Sequence, residues 1–380
     1  MTYSRRKFMM SATLAAGAFT IVPRHVLGKG HVPPSDKINV GFIGLGKQSR
    51  GLAARLTRLD DAQIVAGSDV WTTKMAEFRR HVASVYAEHR GIADYDGVAT
   101  YRDYDELLDR GDIDAVVIAT PDHWHALQSV AAMRAGKDVF CEKPLTHTVE
   151  EGVFMVRTAA ETGRIVQTGS MQRSWGNFRK ACELVRNGYI GDVRKATVNV
   201  GDPARHYDLA AEVTPDEVDW NRWCGPAPVL AYNHRLAPSS NDVDFWPDWR
   251  FFTEVGGGIL ADWGAHMFDV VQWALDMDRS GPVEFVPPED PAAVRGLRMK
   301  YANGVEMAHE DFGRGWAVRF EGTEGRIDIS RDFFESTPGK LVEMELASGD
   351  TRLYDAQGSI EQDWLTAIRK RTQPICDVQT

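Results

Sequence analysis

The stretch that most restricts the fold is INVGFIGLGKQSRG, residues 38–51. A short apolar run of this kind suits a buried parallel strand. A glycine-rich turn follows directly, and SRGLAARLTRL then reads as a helix. Gly44 permits the tight turn. Gly46 lets the backbone approach a pyrophosphate, which then sits at the positive end of the helix. Ser49 stands where the fingerprint's third glycine would be, so the motif is incomplete, and a glycine-rich turn of another α/β fold competes with it. Asp69 ends the next apolar run, AQIVAGSDV. A carboxylate there bonds both ribose hydroxyls and repels a 2′-phosphate, which favours NAD and leaves NADP as the alternative.

The alternation continues. YDELLDRGDIDAVVIATPDHWHALQSVAAMRAGKDVFCEKP gives helix, strand, loop, helix and strand, and VEEGVFMVRTAAETGRIVQTG adds a further helix and strand. Thr148 with Glu151 forms a capping box, and Gly163 stops that helix. The expected fold is an α/β Rossmann domain, a doubly wound parallel sheet, over residues 36–172. An α+β domain with an open, mainly antiparallel sheet follows over 173–380. It comprises a helix and a strand, an irregular stretch at 202–256, and a strong helix in GGILADWGAHMFDVVQWALDM. Three hairpins come next, turning at Asn303–Gly304, Thr323–Gly325 and Ser348–Asp350. A last helix, 360–373, is expected to pack back on the first domain. The end at Thr380 reads as the approach to a further element.

A net charge of −10 excludes nucleic acid as the main partner. No apolar run after residue 30 is long enough for a membrane span. Cys141, Cys182, Cys224 and Cys376 form no CxxC pair, so no metal site is expected. The first thirty residues read as an export signal. SRRKFMM, before SATLAAGAFTIV, resembles a twin-arginine signal, which carries folded proteins to the periplasm or cell surface. A basic, unstructured N-terminus is the alternative.

Ligands of doubly wound sheets lie beyond the carboxyl ends of the strands. ATPDHWH (119–125) and CEKP (141–144) both end strands, so they belong to one cleft. His123 and His125 without a nearby carboxylate or thiolate are a poor metal pair; they cap a helix or edge the cleft. Lys143 is either a cation holding nicotinamide and favouring an alkoxide, or a surface lysine before a proline-directed turn. The cofactor is expected to touch Gly44, Gly46, Lys47, Gln48, Asp69, Thr120, Pro121, His125, Glu142 and Lys143. Asp262, His266 and Asp269 share one stripe of an otherwise apolar helix. An imidazole there suits removal of a hydroxyl proton; a metal pair or a satisfied core histidine are the alternatives. Five tryptophans fall between Trp220 and Trp263. Their faces suit the C–H faces of sugar rings, or else they pack a long insertion. Arg173, Trp249 and Trp263 are candidate substrate contacts.

Together GFIGLG, IVAGSDV, DAVVIATPDHWH, CEKPL and GGGILADWGAHMFDVV resemble the Gfo/Idh/MocA oxidoreductase family. The resemblance implies NAD(P)-linked redox chemistry at secondary alcohols of sugars and cyclitols, and an open sheet that mediates oligomerisation, here a homodimer or homotetramer. It makes Lys143 the active-site lysine, His266 the general base, and Asp262 its partner or a substrate ligand. Three functions follow as expectations: an exported NAD(P)-dependent dehydrogenase with tightly held cofactor; a glycoside hydrolase or lyase acting by transient oxidation; or a carbohydrate-binding oligomer without catalysis.

Overall fold

The computed structural model describes residues 36–354 and 358–380. The candidate export signal lies outside them. From Ile38 onward the chain forms one compact unit built around two sheets.

The first sheet has the order β3-β2-β1-β4-β5-β6, from Ile38–Ile43 (β1), Ala62–Ser68 (β2), Ala99–Tyr101 (β3), Ala115–Ile118 (β4), Asp138–Cys141 (β5) and Val166–Thr168 (β6), with all pairs parallel. The four residues of β4 are wholly inaccessible, as a strand covered on both faces must be. On one face Val40, Phe42 and Val117 meet Leu52 of α1 (Lys47–Leu56) and Phe78 and Val82 of α2 (Thr72–Arg90). On the other, Ile43, Val116 and Ile118 meet Leu107 of α3 (Tyr104–Leu108), Val130 of α4 (Asp122–Arg134) and Met155 of α5 (Val149–Thr162). Helix α5 begins with the Thr148–Glu151 capping box and ends at left-handed Gly163. The strand order reverses between β1 and β4, which opens a crevice at their carboxyl ends.

The second sheet has the order β13-β12-β11-β7-β10-β9-β8. Its strands are Val193–Asn199 (β7), Glu284–Val286 (β8), Arg298–Lys300 (β9), Glu306–His309 (β10), Ala317–Gly322 (β11), Arg326–Ser330 (β12) and Phe334–Thr337 (β13). All pairs are antiparallel except β7–β10. Helices α6 (Gly176–Arg186) and α8 (Gly258–Ala274) cover one face, where Phe178, Val185, Met267 and Val271 meet Val198, Phe320 and Ile329. Between β7 and α8 runs the irregular stretch, with the short helix α7 (Trp220–Cys224) and a 3-10 turn at Asp248–Phe251. The last helix, α9 (Ile360–Lys370), buries Trp364 and Leu365 in the core of the first sheet.

Two of the three hairpins form, β9–β10 around Gly304 and β11–β12. The third, around Ser348–Asp350, does not. Residues 339–343 make a 3-10 turn and 344–354 are irregular. Side chains take over what a strand partner would supply: the Leu353 N–H donates to Glu183 Oε1, the Thr351 N–H to Asn187 Oδ1 and the Ala347 N–H to Asp350 Oδ2, each at 2.8 Å. Leu341, Met344, Leu346 and Leu353 meanwhile pack on the second core. Alternation of apolar residues there reflects anchoring of a strap, not pairing.

Candidate active site

A cavity of about 820 Å³ opens at the carboxyl ends of β1, β2, β4 and β5 and extends to α8. Its floor is the glycine turn. Gly44 has φ +84°, and a Cβ there would lie 2.7 Å from the Thr120 nitrogen, so this position excludes side chains on both counts. At Gly46 an added Cβ would meet nothing within 4 Å. Gly46 is also the N-cap of α1, without a side-chain cap and without acid in the first turn. The first turn of α1 thus borders the cavity with no acidic residue of its own, which fits a pyrophosphate. Asp69 lines the same cavity, its oxygens accepting from the N–H groups of Leu45 (2.7 Å) and Trp71 (2.9 Å). The residues present thus fit a dinucleotide.

The irregular stretch folds back over this turn. Asn241, buried, donates to the Leu45 carbonyl at 2.8 Å, Lys47 bonds the Val243 carbonyl, and Arg50 pairs with Asp242 at 2.9 Å. The Asn241 amide is a site residue for which sequence offers no signal, because its contact is formed across the fold. Trp223 and Trp249, with Trp71, Tyr232 and Phe252, form a small core of their own, and Trp220 stacks on Trp223 at 4.6 Å. Trp223, Trp246, Trp249, Trp263 and Trp316 line the cavity. The tryptophans of the insertion therefore divide between packing and lining, and some do both.

Lys143 follows β5. Its ammonium donates to the Asp262 carbonyl at 2.8 Å and forms a short ion pair with the Asp262 carboxylate, both part-buried. Arg250 Nε lies 3.5 Å from the other Asp262 oxygen. Two of three ammonium protons are thus assigned, which leaves one N–H for a ligand. Glu142 accepts from Gln48 at 2.6 Å and ties the end of β5 to α1; burial raises its pKa. Thr120 Oγ1 donates to Gln128 at 2.8 Å, and Pro121 starts α4. His125 lies between the carbonyls of Pro144 (2.6 Å) and Thr120 (2.9 Å), and His123 between those of Val255 and Trp223. Burial lowers the pKa of each to about 4, and a neutral ring has one N–H, so each donates to one of its two carbonyls and packs against the other. Among the described residues no group of three His, Cys, Asp or Glu is placed to hold a metal.

Asp262 and His266 sit one helical turn apart on α8, lining the cavity while Met267 and Val271 face the sheet. His266 is buried, its Nδ1 finds no partner among the described residues, and burial, then Lys143 and Arg331, pull its pKa well below the ordinary value. It is a neutral imidazole with unused hydrogen-bonding capacity. Asp122, at the start of α4, is a further site residue that the sequence reading passes over. Its Oδ1 is buried without a partner, and burial, then Asp262, raise its pKa to about 8, partly offset by Lys143 and Arg250.

Arg173 is placed elsewhere, and the expectation that it lines the cleft is corrected. The cavity wall contains Met171 but not Arg173. Arg173 is 1% exposed and bonds Asp269 (2.6 and 2.8 Å) and Asp278 (2.8 and 3.0 Å). Burial opposes the charge, yet the two carboxylates keep it protonated. This accounts for Asp269 on the polar stripe of α8: it neutralises Arg173 at the sheet and is not part of the cavity.

A doubly wound sheet with a phosphate-accepting turn, and a neutral imidazole beside a lysine in the same cavity, define a Rossmann-type oxidoreductase. Residues 38–170 match the family model described as the NAD-binding Rossmann fold of an oxidoreductase family, and residues 202–371 the model of its C-terminal alpha/beta domain. The chain belongs to the Gfo/Idh/MocA oxidoreductase family, and NAD is the cofactor of its first sheet. It is similar to glycosyl hydrolase family 109 protein 2 of Shewanella sp. (strain ANA-3), 38% identical over 162 residues, 43% of this chain and 35% of that protein. It is similar also to myo-inositol 2-dehydrogenase of Thermotoga maritima, 31% identical over 167 residues, 44% of this chain and 46% of that protein. The matches thus span less than half the length of these relatives. The fold matches that of an aldose-aldose oxidoreductase from Caulobacter crescentus complexed with glycerol, at TM-score 0.59 and 19% identity over 90% of this chain and 92% of that one.

Proposed function

We propose that the protein oxidises a secondary hydroxyl of a sugar, glycoside or cyclitol with NAD. One observation carries this reading: a buried, neutral, unpartnered His266 shares a cavity with the Lys143–Asp262 pair and the Gly44–Gly46 turn. The names of the relatives, a glycosyl hydrolase, an inositol dehydrogenase and an aldose oxidoreductase, agree with a polyhydroxylated substrate. Bound NAD supplies a hydride acceptor. His266 takes the hydroxyl proton, which an imidazole of lowered pKa does without first losing one of its own. The remaining N–H of Lys143 faces the oxygen where negative charge develops, and Asp262 fixes that ammonium. Gly44, Gly46, Asp69 and the helix α1 N-terminus hold the dinucleotide, with Lys47, Gln48, Thr120, Pro121, His125 and Glu142 around it. Trp249 and Trp263 offer faces to the sugar ring.

A second reading is a redox-neutral one, in which transient oxidation of a glycoside leads to elimination and net hydrolysis. The similarity to a glycosyl hydrolase family 109 protein supports it, as does Asp122, an acid that remains protonated near neutrality and can give a proton to a leaving oxygen. We retain export through the twin-arginine-type segment, to the periplasm or cell surface with the cofactor loaded beforehand, and a homodimeric or homotetrameric assembly. The NAD-loaded protein, mixed with sugars, glycosides and cyclitols, is expected to give reduced nicotinamide by absorbance. Glycoside cleavage without net absorbance change selects the second reading. Silence with all, together with full ligand binding by Lys143→Ala/His266→Ala, overturns both.

A further inference from the structure

Arg331 directly follows β12 and lines the cavity. Its guanidinium lies over Trp263, 4.4 Å from the ring centroid, and over Trp175 at 5.2 Å. Trp263 in turn stands edge-on to His266, with centroids 6.0 Å apart. Arg331 is therefore one aromatic ring away from the base. Among the described residues it makes neither a hydrogen bond nor an ion pair, and its Nε is buried without a partner. The contrast with other arginines is clear. Arg173 has two carboxylates, Arg222 has Asp103, and Arg319 has Asp328 at 2.8 Å. A guanidinium whose buried N–H is unmet is an unfavourable arrangement unless something fills it.

The surrounding charges do not fill it. Asp262 is already shared by Lys143 and Arg250. Glu142 is bound by Gln48, and Asp122 retains its proton near neutrality. The base end of the cavity holds Lys143, Arg250 and Arg331 around Asp262, which the first two occupy, while Glu142, Asp262 and the exposed Asp332 act on Arg331 only at a distance, without a hydrogen bond or ion pair among the described residues. The aromatic faces fix the plane of Arg331 and leave its edge donors for a ligand. A planar fork matches a planar carboxylate in two parallel hydrogen bonds.

We propose that Arg331 binds a carboxylate of the substrate, so that the preferred sugar is acidic: a uronic acid or a uronate-bearing glycoside. The proposal rests on the reading of the cavity as a sugar site but not on hydride transfer. The carboxylate lies on the ring being oxidised or on its immediate neighbour, because only Trp263 separates Arg331 from His266.

The test is calorimetric titration of the NAD-loaded full chain with D-glucuronate, D-galacturonate, their methyl esters, the neutral hexoses and glucose 6-phosphate. A charged hydrogen-bonded pair is worth roughly ten- to a hundredfold in affinity. At least one uronate is expected to bind tighter than its methyl ester by that factor. Arg331→Met is expected to reduce the ratio to about threefold or less, and Arg331→Lys to restore part of it. The ratio is read on variants whose unfolding transition matches the parent's, and Arg331→Lys serves if Arg331→Met does not fold. Equal binding of acid and ester, no binding of either uronate, a ratio that survives Arg331→Met, or preference for the phosphate each overturns the proposal. Uronate preference without reduced nicotinamide from any sugar leaves it standing and removes the oxidation reading instead.

Discussion

Replacing the two glycines of the turn by alanine separates a structural role from a ligand-binding one. At Gly44 the new Cβ meets the Thr120 nitrogen at 2.7 Å and the Ala119 carbonyl at 2.8 Å, with φ at +84°. Left-handed backbone costs about 1–2 kcal/mol, and the overlap about 1–3 kcal/mol more. Gly44→Ala is therefore expected to lose about 3 kcal/mol of stability whether or not NAD is present. At Gly46 the Cβ meets nothing within 4 Å, and φ is −74°. The weaker N-cap and the stiffer unfolded chain offset each other, each contributing under about 1 kcal/mol. The free protein should unfold like the parent. A Cβ pointing into the pyrophosphate position should weaken NAD at least tenfold, and with NAD in large excess this removes about 1.4 kcal/mol of ligand-induced stabilisation. Thermal unfolding of both variants with and without NAD reads these terms directly. Gly46→Ala that keeps full stabilisation by NAD refutes the placement of the pyrophosphate at this turn.

Further outcomes are expected at four positions. Lys143→Met should lower kcat/KM by about 10²–10³ through loss of the developing-charge contact, with NAD affinity changed far less; equal losses in both contradict its role. Asp122 has a folded pKa of about 8 against an ordinary 3.8. The folded state thus binds its proton more tightly, and its stabilising contribution, full below about pH 4, declines as pH rises to about 8 by up to about 1.4 kcal/mol per unit. Asp122→Asn should flatten that slope in denaturant midpoints, and an unchanged slope would show Asp122 ionised. His266 titrates low, so a proton it takes up below its unfolded pKa costs stability as the solution is acidified; His266→Gln should soften acid unfolding below about pH 6.5. Arg173→Met, which strands Asp269 and Asp278, should cost about 3 kcal/mol in stability without altering the uronate-to-ester ratio.

Much of the fold is legible because its signals are local. β1 and β4 are apolar runs bounded by turns, the α5 cap is spelled by Thr148, Glu151 and Gly163, and the β9–β10 and β11–β12 hairpins carry glycine turns. The third hairpin has the same alternation, but Glu183 and Asn187, far off in sequence, satisfy its backbone instead. Helix α2 carries Met75, Phe78, Val82 and Tyr86 at helical spacing, a stripe diluted by charged neighbours. In the site, Gly44, Gly46, Lys143 and Asp262 are readable from motif and position. Arg173 is not, since an arginine near the cleft in sequence pairs with carboxylates in the second core. Asn241, Asp122 and Arg331 acquire their character only from partners gained or withheld in three dimensions.

The central claim is that one cavity joins NAD to a proton-accepting His266 and a lysine-guided hydroxyl. Rapid mixing of the NAD-loaded protein with a uronate and with neutral sugars, followed at the reduced-nicotinamide absorbance band, tests it most directly. The predicted result is growth of that band within the first turnover, transient or lasting, and its loss by at least about a hundredfold in rate in His266→Ala that still binds NAD. Growth of the band at the parental rate in His266→Ala, or its absence in the parent for every sugar that binds, contradicts the account.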